Sequence, residues 1–579
     1  MKRAGHLAVW TVLSALTVSG VSLASANSSE ARVPASAGGT DTRVNVGSPQ
    51  AKFPRNKQNE PSVGLALDPL DARVLVGGSN DEIDNAPCKG SDCSFTPGVT
   101  DNGVYISLDG GHSWIQPTYT GWTARNGVAH VGATGTVPWF YESGLVGDGD
   151  PGTAFGPRPG SHGFSWKNGA RLYYSSLTSN FGTKQVFPGF EAIAVSRTDD
   201  VRAAAHGDKK AWRRPVIVSS DQTATTFSDK EAVWADNAAS SRYFGNAYVC
   251  WTSFKDANSS TAPAPIELSR SADGGAKWSR PALVSPAVPT TATTGTSGCT
   301  VRTDSKGVVY VFWEFANTTT GHSKQLMARS FDGGLHFESP RVIANVVEVG
   351  KLDPVHVANG DPRLTFDGIA GARTGSFPSA DIANGAPTGQ HATNQVVVGW
   401  ADGRRGLNHE QALIQFSRSG GKNWSKPINA AAPADRPDYP AVAISPDGKH
   451  VYVVYDAFLT PWRPTTGSSR LMQAVVRQAR AAGNEPAFET LHRGRVGDPR
   501  GSSENNLCCE FLGDYNYAAA SNRSVSAVWN DVRDAAVCPA VNAYRQSFLA
   551  ATRLPKPSPA KDCPATFGNS DIFGGTYGP

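Results

Sequence analysis

Carboxylates and basic residues recur in this chain at two kinds of place, in company that shifts proton affinities. Glu60, Asp150, Asp229, Glu231, Asp438 and Asp514 stand at the heads of short strand-like runs, with Lys230 and Tyr515 beside them. A second set stands where paired runs end: Asn80, Asp81, Glu82 and Asp84, then Asp402 with Arg404 and Arg405, Asp456, and Asp531 with Arg533. Where such carboxyls crowd a concave surface, one stays protonated while another ionises, which is what glycoside chemistry requires. The same residues suit two other tasks, because a strand-end aspartate caps backbone amides and a cluster of carboxylates holds Ca2+.

The elements that must position these residues are announced by a repeated octamer. Ser271-Ala272-Asp273-Gly274-Gly275-Ala276-Lys277-Trp278 recurs from Ser107 to Trp114 around Asp109 and from Ser330 to Phe337 around Asp332. A degenerate copy from Ser417 to Trp424 has Ser419 in place of the aspartate. Each copy reads as a tight turn between strands: the aspartate accepts from its own turn's amides, the glycine pair permits positive φ, and the final aromatic packs the turn onto its sheet. Asp109, Asp273 and Asp332 are therefore read as structural.

Upstream of these turns lies a second pattern of two alternating β-rich runs joined by a turn. Asp438 to Ile444, the turn Ser445-Pro446-Asp447-Gly448, and Val451 to Asp456 form its best copy. Comparable pairs begin near Glu60, Asp150, Asp229, Cys299, Ser376 and Gly513, so the chain has seven starts. That spacing predicts an all-β fold, a single β-propeller of four-stranded antiparallel blades over 43–555, with seven blades favoured and six the alternative. A strand near Arg43 to Val46 is expected to complete the last blade, which otherwise holds three strands from Asp514 to Leu549. No helix of consequence is expected, and the Pro/Gly-rich tail at 556–579 carries little strand character.

The octamers resemble the Asp-box, or BNR, repeat of sialidase-like β-propellers, whose pattern is Ser-x-Asp-x-Gly-x-x-Trp/Phe. The resemblance implies a three-arginine carboxylate holder, a tyrosine nucleophile assisted by a glutamate, and an aspartate acid/base. Carried onto this sequence, it points to Tyr515 as nucleophile, Glu231 as its partner, Asp81 as acid/base, and Arg404 and Arg533 as anion holders. Asp150 joins the catalytic candidates, and Arg405, Glu60, Asp402 and Asp514 the substrate-binding ones. Where the family carries an early Arg-Ile-Pro motif this chain reads Asn59-Glu60-Pro61-Ser62, so the first arginine of the triad is missing. A nucleophilic phenol also needs a carboxylate to take its proton, since tyrosine ionises near pH ~10.

Met1-Lys2-Arg3, an apolar run from Leu7 to Leu23 and Ala24-Ser25-Ala26 read as a secretory leader, 1–26, followed by a disordered segment, 27–42. An exported chain with eight cysteines favours disulfides. Cys88 is expected to pair with Cys93 and Cys250 with Cys299, with Cys508 and Cys509 bridging to Cys538 and Cys563 in an open order. A net charge of +4 without Lys/Arg tracts argues against nucleic acid, and no later run is apolar enough to span a bilayer. Neither a G-x-S-x-G elbow, a phosphate-binding glycine loop nor an HExxH motif is present. The expectation is a secreted, monomeric, carbohydrate-active enzyme, foremost a glycoside hydrolase acting on an extracellular glycan. A non-catalytic propeller binding a glycan or protein on the same face is the alternative, and a polysaccharide lyase the second. No cofactor is required, a structural Ca2+ is possible, and the sequence assigns no metal ligands.

Overall fold

The computed structural model describes residues 40–47, 51–61, 66–256, 258–259, 261–291, 294–481 and 486–578. The expected leader and most of the segment 27–42 lie outside them. Seven antiparallel sheets follow one another around a central axis, so the seven-bladed expectation holds and six is excluded.

Blade I pairs Leu75–Asp81 with an inner strand in two pieces, Gln58–Asn59 and Ala66–Leu67, and with Asn102–Ser107; a bridge from Ile106 to Ile115 adds its outer edge. Blade II divides its inner strand between Leu145–Gly147 and Gly152–Gly160, then continues with Gly163–Asn180, Ala192–Thr198 and Trp212–Ile217. Blades III to VI have innermost strands Phe227–Ala235, Thr294–Thr303, Ser379–Ile382 and Arg436–Ile444, each followed by three more in sequence order.

Blade VII is assembled from both ends of the chain. Tyr517–Ala520 and Val525–Asp531 are followed by the C-terminal strand Asp571–Tyr577, and Thr42–Arg43 forms the outer edge. The third strand thus comes from the tail expected to lack one. Gly574 and Gly575 dilute its β signal, yet a side-chain carbon on Gly574 would fall 2.7 Å from the Ala527 carbonyl oxygen, so close strand approach demands glycine there. Asp41 and Thr42, expected to be disordered, are held in place: Asp41 meets Arg533 at 2.7 Å and His492 at 3.2 Å.

The core lies between blades. Trp251, Trp313, Trp400 and Trp529 occupy second strands of blades III, IV, V and VII, all but fully buried; truncating one to alanine is worth about 3–5 kcal/mol. The repeated octamers join third and fourth strands. In blade III, Ser271 Oγ donates to Asp273 and accepts from Gly275 N at 2.7 Å, while Ala276 N and Lys277 N donate to Asp273 Oδ1 at 3.0 and 2.9 Å. Asp332 makes the same local bonds, Asp109 accepts from Ser107 Oγ and Ser113 N, and at the degenerate copy Ser419 Oγ accepts from Asn423 N at 2.9 Å.

Helices are more prominent than expected. Pro354–Asn359 sits between blades IV and V, and Pro539–Ser547 replaces the third strand foreseen before Leu549. Disulfides join Cys88 to Cys93 and Cys250 to Cys299, the latter tying blade III to blade IV. The remaining expectation is corrected: Cys508 pairs with its neighbour Cys509, and Cys538 with Cys563. The tail folds back through the short helix Pro559–Asp562, which delivers Cys563 to the start of the Pro539–Ser547 helix. Four disulfides fit an oxidising, extracytoplasmic setting, and no helix among the described residues is long and apolar enough to cross a membrane.

Candidate functional site

The inner strands begin with a shared irregularity. Glu60, Asp150, Lys230 and Tyr439 all have left-handed backbones, with φ of 53°, 48°, 57° and 50°. In blade III the pairing shifts between Asp229 and Ala232, so that Lys230 and Glu231 together oppose Trp251; blade VI does the same between Asp438 and Ala441. Blade IV meets the requirement with Gly298, at φ 61°. A bulge of this kind re-aims a side chain that strict alternation would have sent between blades. Positive φ in non-glycine residues costs about 1–3 kcal/mol each and persists where the surroundings over-determine it.

The re-aimed groups meet at one end of the axis. Asp514 at the start of blade VII accepts from Lys230 Nζ at 2.5 Å and from Arg373 Nε and NH2, both at 2.9 Å. Arg373 also reaches Glu60 at 3.1 Å. The second oxygen of Glu60 accepts from Asn80 Nδ2 at 2.8 Å, and Asn80 Oδ1 accepts Asp150 N at 2.8 Å. Phe511 lies under the Arg373 guanidinium at 4.6 Å, and Lys230 lies 4.9 and 5.1 Å from the ring centres of Phe377 and Tyr515. Gly513 lets the chain pass, because a side-chain carbon there would fall 2.6 Å from the Glu60 backbone.

Electrostatics divides these carboxyls. Burial would raise Asp514, but Arg373 and Lys230 overcome it and hold the group well below the ordinary carboxylate range. Burial pushes Asp150 far up, with Glu60 and Asp229 adding repulsion. Glu60 is raised by burial despite Arg373. Burial also raises the Tyr515 phenol; Lys230 pulls it down and Asp150, Asp514 and Glu60 push it up, so it stays protonated at neutral pH. Beside the cluster opens a pocket walled by Phe377, Tyr439, Pro440, Tyr515 and Tyr517, with Lys230 and Asp514 at its polar side. Such a site can donate a proton, stabilise positive charge and stack a ring.

Of the residues singled out by sequence, Glu60, Asp150, Asp514 and Tyr515 come together here. Glu231 is buried and its burial holds it protonated, while the charges that act most on Tyr515 are those of Lys230, Asp150, Asp514 and Glu60. Asp81 is spent internally, accepting from Gln58, Tyr105, Gln116 and Ile83 N. Arg404 and Arg533 close on their own neighbours. In Trp400-Ala401-Asp402-Gly403-Arg404 the aspartate accepts from the indole at 2.9 Å and from the guanidinium at 2.7 and 2.8 Å. Trp529 to Arg533 ties the same knot, with Asp531–guanidinium distances of 2.8 and 2.6 Å. Arg405 is exposed on the loop beyond.

Arg373 was not among the candidates. It lies in a long insertion before blade V, in Gly371-Ala372-Arg373-Thr374-Gly375, where no spacing marks it. The bulges did leave a trace: Glu60, Asp150 and Tyr439 each precede a proline.

No family model matches the chain, and no curated protein does. Among solved structures, a protein of unknown function from Dyadobacter fermentans DSM 18053 is 13% identical, over 73% of this chain and 93% of its own, with a TM-score of 0.36. The Hadza microbial sialidase Hz136 is 13% identical over 62% of this chain and 60% of its own, with a TM-score of 0.34. The α-L-arabinofuranosidase Arb93A from Fusarium graminearum is 12% identical over 73% and 91%, with a TM-score of 0.30. These are likenesses to other chains at low identity, and the seven-bladed architecture stands on the strand pairing itself.

Proposed function

We propose that this chain is a glycan-directed propeller and that its axial pocket hydrolyses a glycosidic bond. The observation that carries the reading is the division of carboxyls within the axial cluster, whose Asp514 and Lys230 also line one aromatic pocket. Asp514 is kept ionised by two cations while Asp150, close by, is kept neutral. In this reading Asp150 gives its proton to the departing glycosidic oxygen, Asp514 stabilises the positive charge that develops on the sugar, a water molecule adds to the anomeric carbon and returns a proton to the Asp150 carboxylate, and Tyr515 and Phe377 stack the ring. A tyrosine nucleophile paired with Glu231 is not part of it, since the phenol is held protonated and burial holds Glu231 protonated too.

The test is sugar release from a panel of neutral, uronate-bearing and sialylated glycans. Asp150→Asn should reduce turnover by roughly 10²–10⁴-fold while leaving binding in place. Unchanged turnover in that variant would sink the assignment. One observation favours a second reading, a face that binds glycan without cleaving it: both oxygens of Asp514 already accept from Lys230 and Arg373, leaving it poorly free to act as a base. Retained binding with no turnover by the unaltered protein would select that reading. A lyase would need an ionised tyrosine, which the surroundings of Tyr515 oppose.

A further inference from the structure

Six residues before Asp514 the chain carries its adjacent-residue disulfide, Cys508–Cys509. Both cysteines are buried, 1% and 0% exposed, against Val355, Ile369, Leu507 and Val541. Their loop is fixed from outside: Arg545 donates to the Cys509 carbonyl at 3.0 Å, and Cys508 N donates to Asn506 at 2.7 Å. Facing them is His356, on the helix Pro354–Asn359. Its side chain is 1% exposed, its Nε2 has no hydrogen-bond partner, and its imidazole comes within 4.8 Å of both sulfurs.

An imidazole nitrogen buried without a partner is costly, because its hydration is lost and nothing replaces it. The present neighbours do not relieve it, because disulfide sulfurs are weak acceptors and the nearest carboxylate, Asp353, lies 3.9 Å away. Reduced, the same three side chains would be two thiolates and an imidazole in an apolar surround, a soft donor set suited to Zn2+ or Cu+. We propose that Cys508, Cys509 and His356 form a redox-gated site for a thiophilic metal ion, closed by its own disulfide and opened by reduction. A phosphine reductant and one water convert the disulfide to two thiols and a phosphine oxide. Zn2+ then displaces two thiol protons to solvent while His356 contributes its lone pair. This site is independent of the glycan reading.

The experiment uses the full chain, reduced anaerobically with tris(2-carboxyethyl)phosphine, freed of reductant and titrated with Co2+ and then Zn2+. Reduced protein should bind one more equivalent of Zn2+ than oxidised protein, with a thiolate-to-cobalt charge-transfer band at the Co2+ stage. Cys508→Ser/Cys509→Ser, which keeps the other six cysteines, should lose that equivalent, and His356→Gln should weaken it at least roughly tenfold. Folding of each variant is checked by circular dichroism. Zinc-edge X-ray absorption on the unaltered reduced chain gives a readout without substitution, expected at two sulfurs near ~2.3 Å and at least one nitrogen near ~2.0–2.1 Å. No reduction-dependent uptake, equal uptake by the double-serine variant, or a shell of no sulfur or four sulfurs would overturn the proposal.

Discussion

Two regions of this molecule are built from arginine and carboxylate, and they use them in opposite ways. At the ends of the second strands of blades V and VII, Asp402 with Arg404 and Asp531 with Arg533 close on themselves two residues apart, with a tryptophan indole completing each knot. At the axis, Asp514 meets Lys230 at a separation of 284 residues and Arg373 at 141. Each of these aspartates finds its guanidinium two residues away, so the pair forms from local chain alone, and Arg533 adds Asp41 only when the ring closes. The axial groups draw their charged partners from distant parts of the chain, Asp514 from blade III and the insertion before blade V, and Glu60 from that same insertion. They therefore carry unequal charges, from Asp514 held low to Asp150 held high, and Asp514 with Lys230 lines an open pocket beside them.

The contrast can be broken most directly at Asp514. Asp514→Ala takes from Lys230 its hydrogen-bonded carboxylate and leaves Arg373 with Glu60 alone, and should cost about 3–5 kcal/mol in urea unfolding. Arg404→Met, whose partly exposed pair is screened by solvent, should cost less than about 1 kcal/mol. Equal costs would show that the axis holds no special electrostatic strain.

Next in size is a pH effect. Asp150 is raised in the folded state, so folded protein binds more protons than unfolded protein, and stability declines as pH rises above the ordinary aspartate value. Asp150→Asn should make that decline shallower by up to about 1.4 kcal/mol per pH unit from about pH 4 upward. A variant whose unfolding midpoint tracks the parent's at every pH would remove Asp150 from the neutral set.

Asp41→Ala sharpens the peripheral side. Arg533 keeps Asp531 but loses its partner on the closing strand, for an expected loss of about 1–2 kcal/mol in the thermal midpoint analysis. The smallest effect concerns the turns. Ser419→Asp restores the missing acceptor of the degenerate octamer and should stabilise by about 0.5–1 kcal/mol, whereas Asp273→Ala should cost about as much.

What was readable in the sequence follows the same division. The octamers made Asp109, Asp273 and Asp332 recognisable as turn residues because every bond they make lies within four residues. Glu60, Asp150 and Asp514 were readable as strand-1 starts, and topology gathered them. Arg404 and Arg533 were misread as anion holders because type and position were visible but saturation was not. Arg373 left no signal, since an insertion has no period.

The sequence by itself determined seven alternating strand pairs and their turns, because these depend on side-chain alternation, on glycine at positive φ and on repeated spacing. Only the tertiary structure decided that the C-terminal Asp571–Tyr577 strand closes the ring against Thr42–Arg43, that Cys508 joins Cys509, and that Arg373 clamps Asp514. The first and the last rest on segments far apart in the chain, whose meeting is set by ring closure and by which buried charges find compensation; the adjacent disulfide rests on Cys538 having taken Cys563 instead.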